Sequence, residues 1–243
     1  MNQIVFISFV LGLIYFWNLI TGKNEEFLEF LSIRHTTILK GIAIFTVVWG
    51  HVTAKLGVSH IQMVAEIGVW LFLFCSGYGC WLSMKKNGIK GFWRKRIIKV
   101  FMPFWVCELI GLILTRKFCF ENFILDMSFV KPATAYGWFM GFILVYYIAF
   151  WILGFLKKRT NVSDNSILNI IIGFSIVVFI YFSTVDVNPL FPALKARQVF
   201  AFTLGMIVAK EKNRMMEFIL LVKDKTKARK VMMCLGLLFM GGV

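Results

Sequence analysis

The stretch richest in chemistry is 39–51, LKGIAIFTVVWGH, an apolar run framed by Lys40 and His51. At about 3.6 residues per turn, eleven positions return both side chains to within about 20° of one helix face, about 16 Å apart along the axis. An imidazole exchanges protons near neutral pH, which suits it to take a proton from a hydroxyl. An ammonium is a point charge for an anion such as a phosphate. If Lys40 stands at a membrane boundary, His51 lies near mid-membrane, where an ionisable group marks a functional site by default. A neutral histidine bonded to a neighbouring helix is the other reading, and the spacing alone does not choose between them. His60 falls in a short loop and reads as solvated surface.

A second stretch, Glu66–Ser83, reads EIGVWLFLFCSGYGCWLS. Gly68, Gly77 and Gly79, with Ser76 and Ser83, put small residues on a bulky helix and permit close helix approach. Ser76-Gly77-Tyr78 is a polar break in an apolar run, placed to bend the helix or expose backbone groups. A third stretch, Gly91–Trp105, reads GFWRKRIIKVFMPFW, a basic cluster that runs directly into an apolar helix. Arg96 and Lys99 are expected to share a face, and Pro103 to kink the helix a turn further in. One reading of Arg94, Arg96 and Lys99 is plain anchoring of a span. The other is an anion site for phosphate groups, with arginine as the bidentate donor. Glu108, deeper in the same helix, is an embedded carboxylate that needs a partner.

The elements that must position these groups follow from composition. Of 243 residues, 59% are hydrophobic and only 16% charged, against about 45–50% and about 25% in soluble domains. With a mean hydropathy of +0.79, the chain is a membrane protein, and disorder, a disulfide-stapled secreted scaffold and a nucleic-acid binder are excluded. The five cysteines, Cys75, Cys80, Cys107, Cys119 and Cys234, match no zinc or redox spacing and read as small hydrophobes, so no metal is expected. A helix needs about 20 mainly apolar residues to cross a bilayer. Such segments fall near 3–20, 38–56, 64–84, 97–115, 138–156, 167–183 and 197–209, and an eighth begins near Val231. The expected fold is an all-α polytopic transmembrane bundle forming a single domain, with about seven complete spans and an eighth that stops at Val243, as a truncated chain would. The first run lacks a basic leader and a cleavage site, so it reads as a retained span.

Cytoplasmic loops retain Lys and Arg. Clusters at 23–40, 85–99, 157–159 and 210–230 hold 21 of the 27 cations, and Lys55, Arg116, Lys117, Lys131, Lys195 and Arg197 make up the opposite set. The N-terminus is therefore expected outside, with the 38–56 span running outward from the cytoplasm.

In this order, the three stretches resemble the membrane acyltransferase-3 family, bacterial integral-membrane enzymes that O-acylate cell-surface polysaccharides. Lys40, Gly41, the run Ile42–Trp49 and His51 are similar to the family's basic residue, glycine, hydrophobic run and histidine. Gly68, Val69, Phe72, Phe74, Ser76, Gly77 and Tyr78 resemble its glycine-rich helix ending in S-G-F or S-G-Y. Phe92, Arg96, Lys99 and Pro103 match the basic motif that follows, while Trp138-Phe139 and Arg197–Ala209 resemble later helices. The resemblance covers about residues 36–210. Lys40 and Lys99 stand where the family usually has arginine, which keeps the charge and loses the planar fork. The resemblance implies transfer of an acyl group, most often acetyl, from cytoplasmic acyl-CoA to a carbohydrate hydroxyl at the bacterial cytoplasmic membrane. It implies His51 and Lys40 as catalytic residues, Arg94, Arg96 and Lys99 as donor-binding cations, and Ser76, Tyr78 and Glu108 as lining for the acceptor. The competing classes are a transporter or assembly partner in which His51 and Glu108 form a proton or substrate path, and an inactive shortened member of the family.

Overall fold

A computed structural model describes residues 31–55, 62–114, 116, 118–129, 137–185 and 194–223. The segment 3–20, His60, Cys234 and the segment from Val231 lie outside the described residues, which are all-α. In chain order the helices are α1 (Ile33–Lys55), α2 (Gln62–Asn87), α3 (Phe92–Leu114), α4 (Phe120–Met127), α5 (Trp138–Thr160), α6 (Asp164–Val185), α7 (Leu194–Lys210) and α8 (Lys212–Lys223). Five of them, α1, α2, α3, α5 and α6, are long and apolar enough to cross a bilayer. α7 has 17 residues, or about 25 Å at about 1.5 Å per residue. The all-α polytopic membrane fold holds. Two segments expected as loops, 115–137 and 210–230, carry the short helices α4 and α8.

Helix ends follow local polar chemistry. α1 begins five residues before the apolar run at 38 because Ser32 caps it, its hydroxyl accepting the His35 N–H at 3.3 Å. The Thr36 and Thr37 hydroxyls donate back to carbonyls of the preceding turn, so these polar residues sit in the helix without competing for its ladder. α5 ends on Asn161, in the left-handed conformation with φ 51°, behind Lys157, Lys158 and Arg159. Cations suit the negative end of a helix dipole. The turn from α2 to α3 uses Gly88 and Gly91 at φ of 60° and 66°, angles that glycine adopts without a Cβ penalty.

α3 is not regular. Residues Ile97–Phe101 form a π-helical turn closed by the Met102 N–H on the Ile97 carbonyl. Pro103 follows two residues later; its ring crowds the carbonyl four residues back in an α-helix, and a widened turn relieves that clash. The proline is thus accommodated in a continuous span through the π turn before it. The same turn separates Arg96 from Lys99: three steps of a wider helix fall short of the rotation that brings α-helical neighbours together. Arg96 is half-buried and Lys99 exposed, which corrects the expectation of a shared face.

The chain divides into two compact units, one made of residues up to Gly68 with those from Ile207, the other Val69–Met206. In the first, α1 buries Ala43, Thr46, Gly50 and Thr53 and crosses α2 closely. A Cβ on Gly50 would lie 2.6 Å from the Ala65 Cβ, and one on Gly68 would collide with Thr46 and Ala43. In the second, α2 and α7 meet backbone to backbone: a Cβ on Gly77 would overlap the Phe202 carbonyl, and one on Gly205 the Phe74 carbonyl. Gly79 has open space around it, so of the three glycines in the second stretch, only Gly68 and Gly77 serve close approach. Between α5, α6 and α7, hydroxyls act as glue: Tyr146 donates to the Val199 carbonyl at 2.8 Å, and Ser175 and Thr203 pair at 2.7 Å. Asp164, opening α6, is ion-paired to both Lys85 and Lys157 and ties together the ends of α2 and α5.

Candidate active site

Lys40 and His51 lie on the single unbroken helix α1 in the first unit, Lys40 exposed and His51 half-buried. The continuous helix realises the one-face register, with about 16 Å between them along the axis. The line between them, through Ile44 and Val47, flanks the buried stripe Ala43–Thr46–Gly50 that packs on α2. Val47 on that line also closes on Gly68 of α2, so the face that carries Lys40 and His51 borders the helix contact.

The other six residues belong to the second unit. Arg94 and Lys99 are exposed. Glu108 is buried, 8% exposed, beyond the π turn on α3. Tyr78 is buried on α2, and its hydroxyl has no hydrogen-bond partner among the described residues. Ser76, half-buried, accepts a hydrogen bond from the Tyr147 hydroxyl at 3.3 Å.

Arg96 has the most constrained environment. Its Cζ lies 5.2 Å from the ring centroid of Phe92 and 5.2 Å from that of Tyr147, and those two rings meet at 86°. The guanidinium occupies the corner between perpendicular π faces, an arrangement worth about 2 kcal/mol or more when desolvated. Its Nη2 donates to Cys80 Sγ at 3.1 Å, while the buried Nε has no hydrogen-bond partner. No carboxylate among the described residues pairs with it. Two rings and a soft thiol therefore stand where a carboxylate would ordinarily balance a buried cation.

The depth of this corner follows from α5. Tyr147 lies 13 residues before Thr160, the last residue of α5, so its Cα is about 20 Å from that end and near the middle of the helix. Phe92, stacked on Phe150 at 5.7 Å, fixes the start of α3 at the same level. Arg96 is thus enclosed in the first turns of α3, beside the middle of α5.

The structure joins two of the six residues, Arg96 and Ser76, through Tyr147. Sequence reasoning missed Tyr147, Phe92 and Cys80 as walls of this site. The legible signal was Tyr146-Tyr147, adjacent phenols in the middle of the apolar run FILVYYIAF, since a buried hydroxyl needs a partner.

A profile described as an acyltransferase domain, that of the acyltransferase-3 family, matches residues 37–243. No curated protein and no solved structure matches the chain.

Proposed function

The chain belongs to the acyltransferase-3 family, and from that premise we propose that this multi-pass membrane protein transfers an acyl group, acetyl in the first instance, from acyl-CoA to a hydroxyl of a cell-surface carbohydrate. The observation that carries the reading is the α1 register, a cation and an imidazole on one face of an unbroken helix, about 16 Å apart. Donor phosphates are the ligand read for the cations of each unit taken by itself: Lys40 in the first, and Arg94, Arg96 and Lys99 in the second, on the cytoplasmic side. The extended pantetheine arm spans the distance to His51. There the imidazole takes the proton of the acceptor hydroxyl as its oxygen attacks the thioester carbonyl; the C–S bond breaks and the CoA thiolate leaves, to be protonated. In the variant of this route, His51 first carries the acyl group itself. In the second unit, the family resemblance assigns Ser76, Tyr78 and Glu108 to the acceptor. The membrane is the bacterial cytoplasmic membrane, with the N-terminus outside.

The test is His51→Ala in the purified protein with radiolabelled acetyl-CoA and a carbohydrate acceptor. Acetyl transfer is expected to fall by at least about a hundredfold, the scale of general acid–base catalysis, with unchanged insertion and acetyl-CoA binding. Full activity of the variant removes histidine from the mechanism. An acid quench of the wild-type protein before acceptor is added separates the two routes, because only the acyl-carrier route leaves label on the protein.

A further inference from the structure

Tyr147 is fully buried and touches more of the second-unit site than any residue assigned to it. Its ring forms one wall of the Arg96 corner at 5.2 Å, its hydroxyl donates to Ser76 at 3.3 Å, and Phe101 and Phe202 brace the ring edge-on at 6.2 Å each. Three helices, α3, α2 and α7, thus converge on one side chain of α5. Among the described residues no carboxylate pairs with Arg96, so its guanidinium is held by the two rings and by Cys80 Sγ at 3.1 Å. With the Tyr147 ring removed, the guanidinium loses one of the three groups that confine it.

We propose that Tyr147 is a positioning residue for acyl transfer, locking the Arg96 guanidinium to the Ser76 hydroxyl so that the donor-binding cation and the polar break of α2 keep one fixed relation. The inference rests on the reading of Arg96 as a donor-binding group. It divides the phenol into two functions: the ring confines the cation, and the hydroxyl transmits its place to Ser76.

The two functions separate by substitution in the full-length protein, with acetyl-CoA affinity measured by equilibrium binding and KM and kcat measured with acceptor present. Tyr147→Leu removes ring and hydroxyl, and acetyl-CoA binding is expected to weaken about tenfold with kcat changed less, as loss of a desolvated cation–π contact requires. Tyr147→Phe keeps the ring, and Ser76→Ala removes the same hydrogen bond from the other side. Each is expected to weaken acetyl-CoA binding about threefold, and the double variant also about threefold, because the same bond is lost once. Should Tyr147→Leu fail to fold, the Phe and Ala variants decide by themselves. A double variant weakened about ninefold, or single variants that bind acetyl-CoA as the wild type does, overturns the positioning role. A merely structural role lowers melting temperature without this non-additive pattern in affinity. If the wild-type protein itself does not bind acetyl-CoA, the donor reading of Arg96 falls, and the positioning role falls with it.

Discussion

The most telling residue-scale contrast is between Lys40 and Arg96. Both are cations in motifs that resemble the family's basic positions, yet Lys40 is exposed on α1 while Arg96 is enclosed by Phe92, Tyr147 and Cys80. An exposed ammonium answers to a ligand in solution; an enclosed guanidinium answers first to its walls. If Lys40 meets donor phosphates as a point charge, Lys40→Ala raises the KM for acetyl-CoA about tenfold and leaves kcat within about twofold, the scale of one charge-assisted contact. Lys40→Arg supplies a planar fork in place of a point charge and lowers that KM or leaves it unchanged. Steady-state kinetics on the three proteins checks this. A fall in kcat at constant KM for Lys40→Ala reassigns the lysine from donor binding to the chemical step. The sequence showed both cations plainly, since charge in an apolar chain is conspicuous. It hid the difference between them, because enclosure depends on aromatic residues from α3 and α5 whose types are unremarkable in a membrane helix.

At the scale of elements, five of the apolar runs are helices long enough to cross a bilayer, and α1 begins earlier than its run because polar residues are satisfied within the helix at Ser32–Thr37. The departure the runs did not foretell is the π turn Ile97–Phe101. A proline announces trouble in a helix but not its remedy, and a widened turn leaves no mark on hydropathy. Small residues were equally ambiguous: Gly77 and Gly79 look alike in SGYGC, yet only Gly77 lies against the backbone of α7. This yields a paired prediction. Gly77→Ala forces α2 away from Phe202, costs about 1–3 kcal/mol by overpacking, and lowers the melting temperature of the detergent-purified protein by roughly 5 °C. It also displaces the neighbouring Ser76 and reduces acyl transfer. Gly79→Ala meets nothing within 4 Å and, gaining helix propensity, melts no lower than the wild type. Equal melting temperatures for the two variants would show that the α2–α7 contact is not close-packed.

At the scale of the whole molecule, the cations gather at one end of the helices. Lys85, near the end of α2, and Lys157, near the end of α5, meet on Asp164 at the start of α6. The clusters 85–99 and 157–159, separated by about 60 positions in sequence, therefore lie at one end of the second unit. The alternation of spans had implied that gathering, and three side chains now realise it. If this end faces the cytoplasm, as proposed from the excess of Lys and Arg, Arg116 lies on the opposite side. Cysteines introduced one at a time at Lys86 and at Arg116, both exposed, test the orientation after Cys107, Cys119 and Cys234 are replaced by serine, Cys75 and Cys80 being buried. In intact cells, a membrane-impermeant maleimide is expected to label position 116 and to reach position 86 only after the membrane is permeabilised. The reverse pattern would put the basic end outside. It would leave Arg94 and Lys99 facing away from any cytoplasmic donor, so that the acyl group would have to come from a carrier on the outer side.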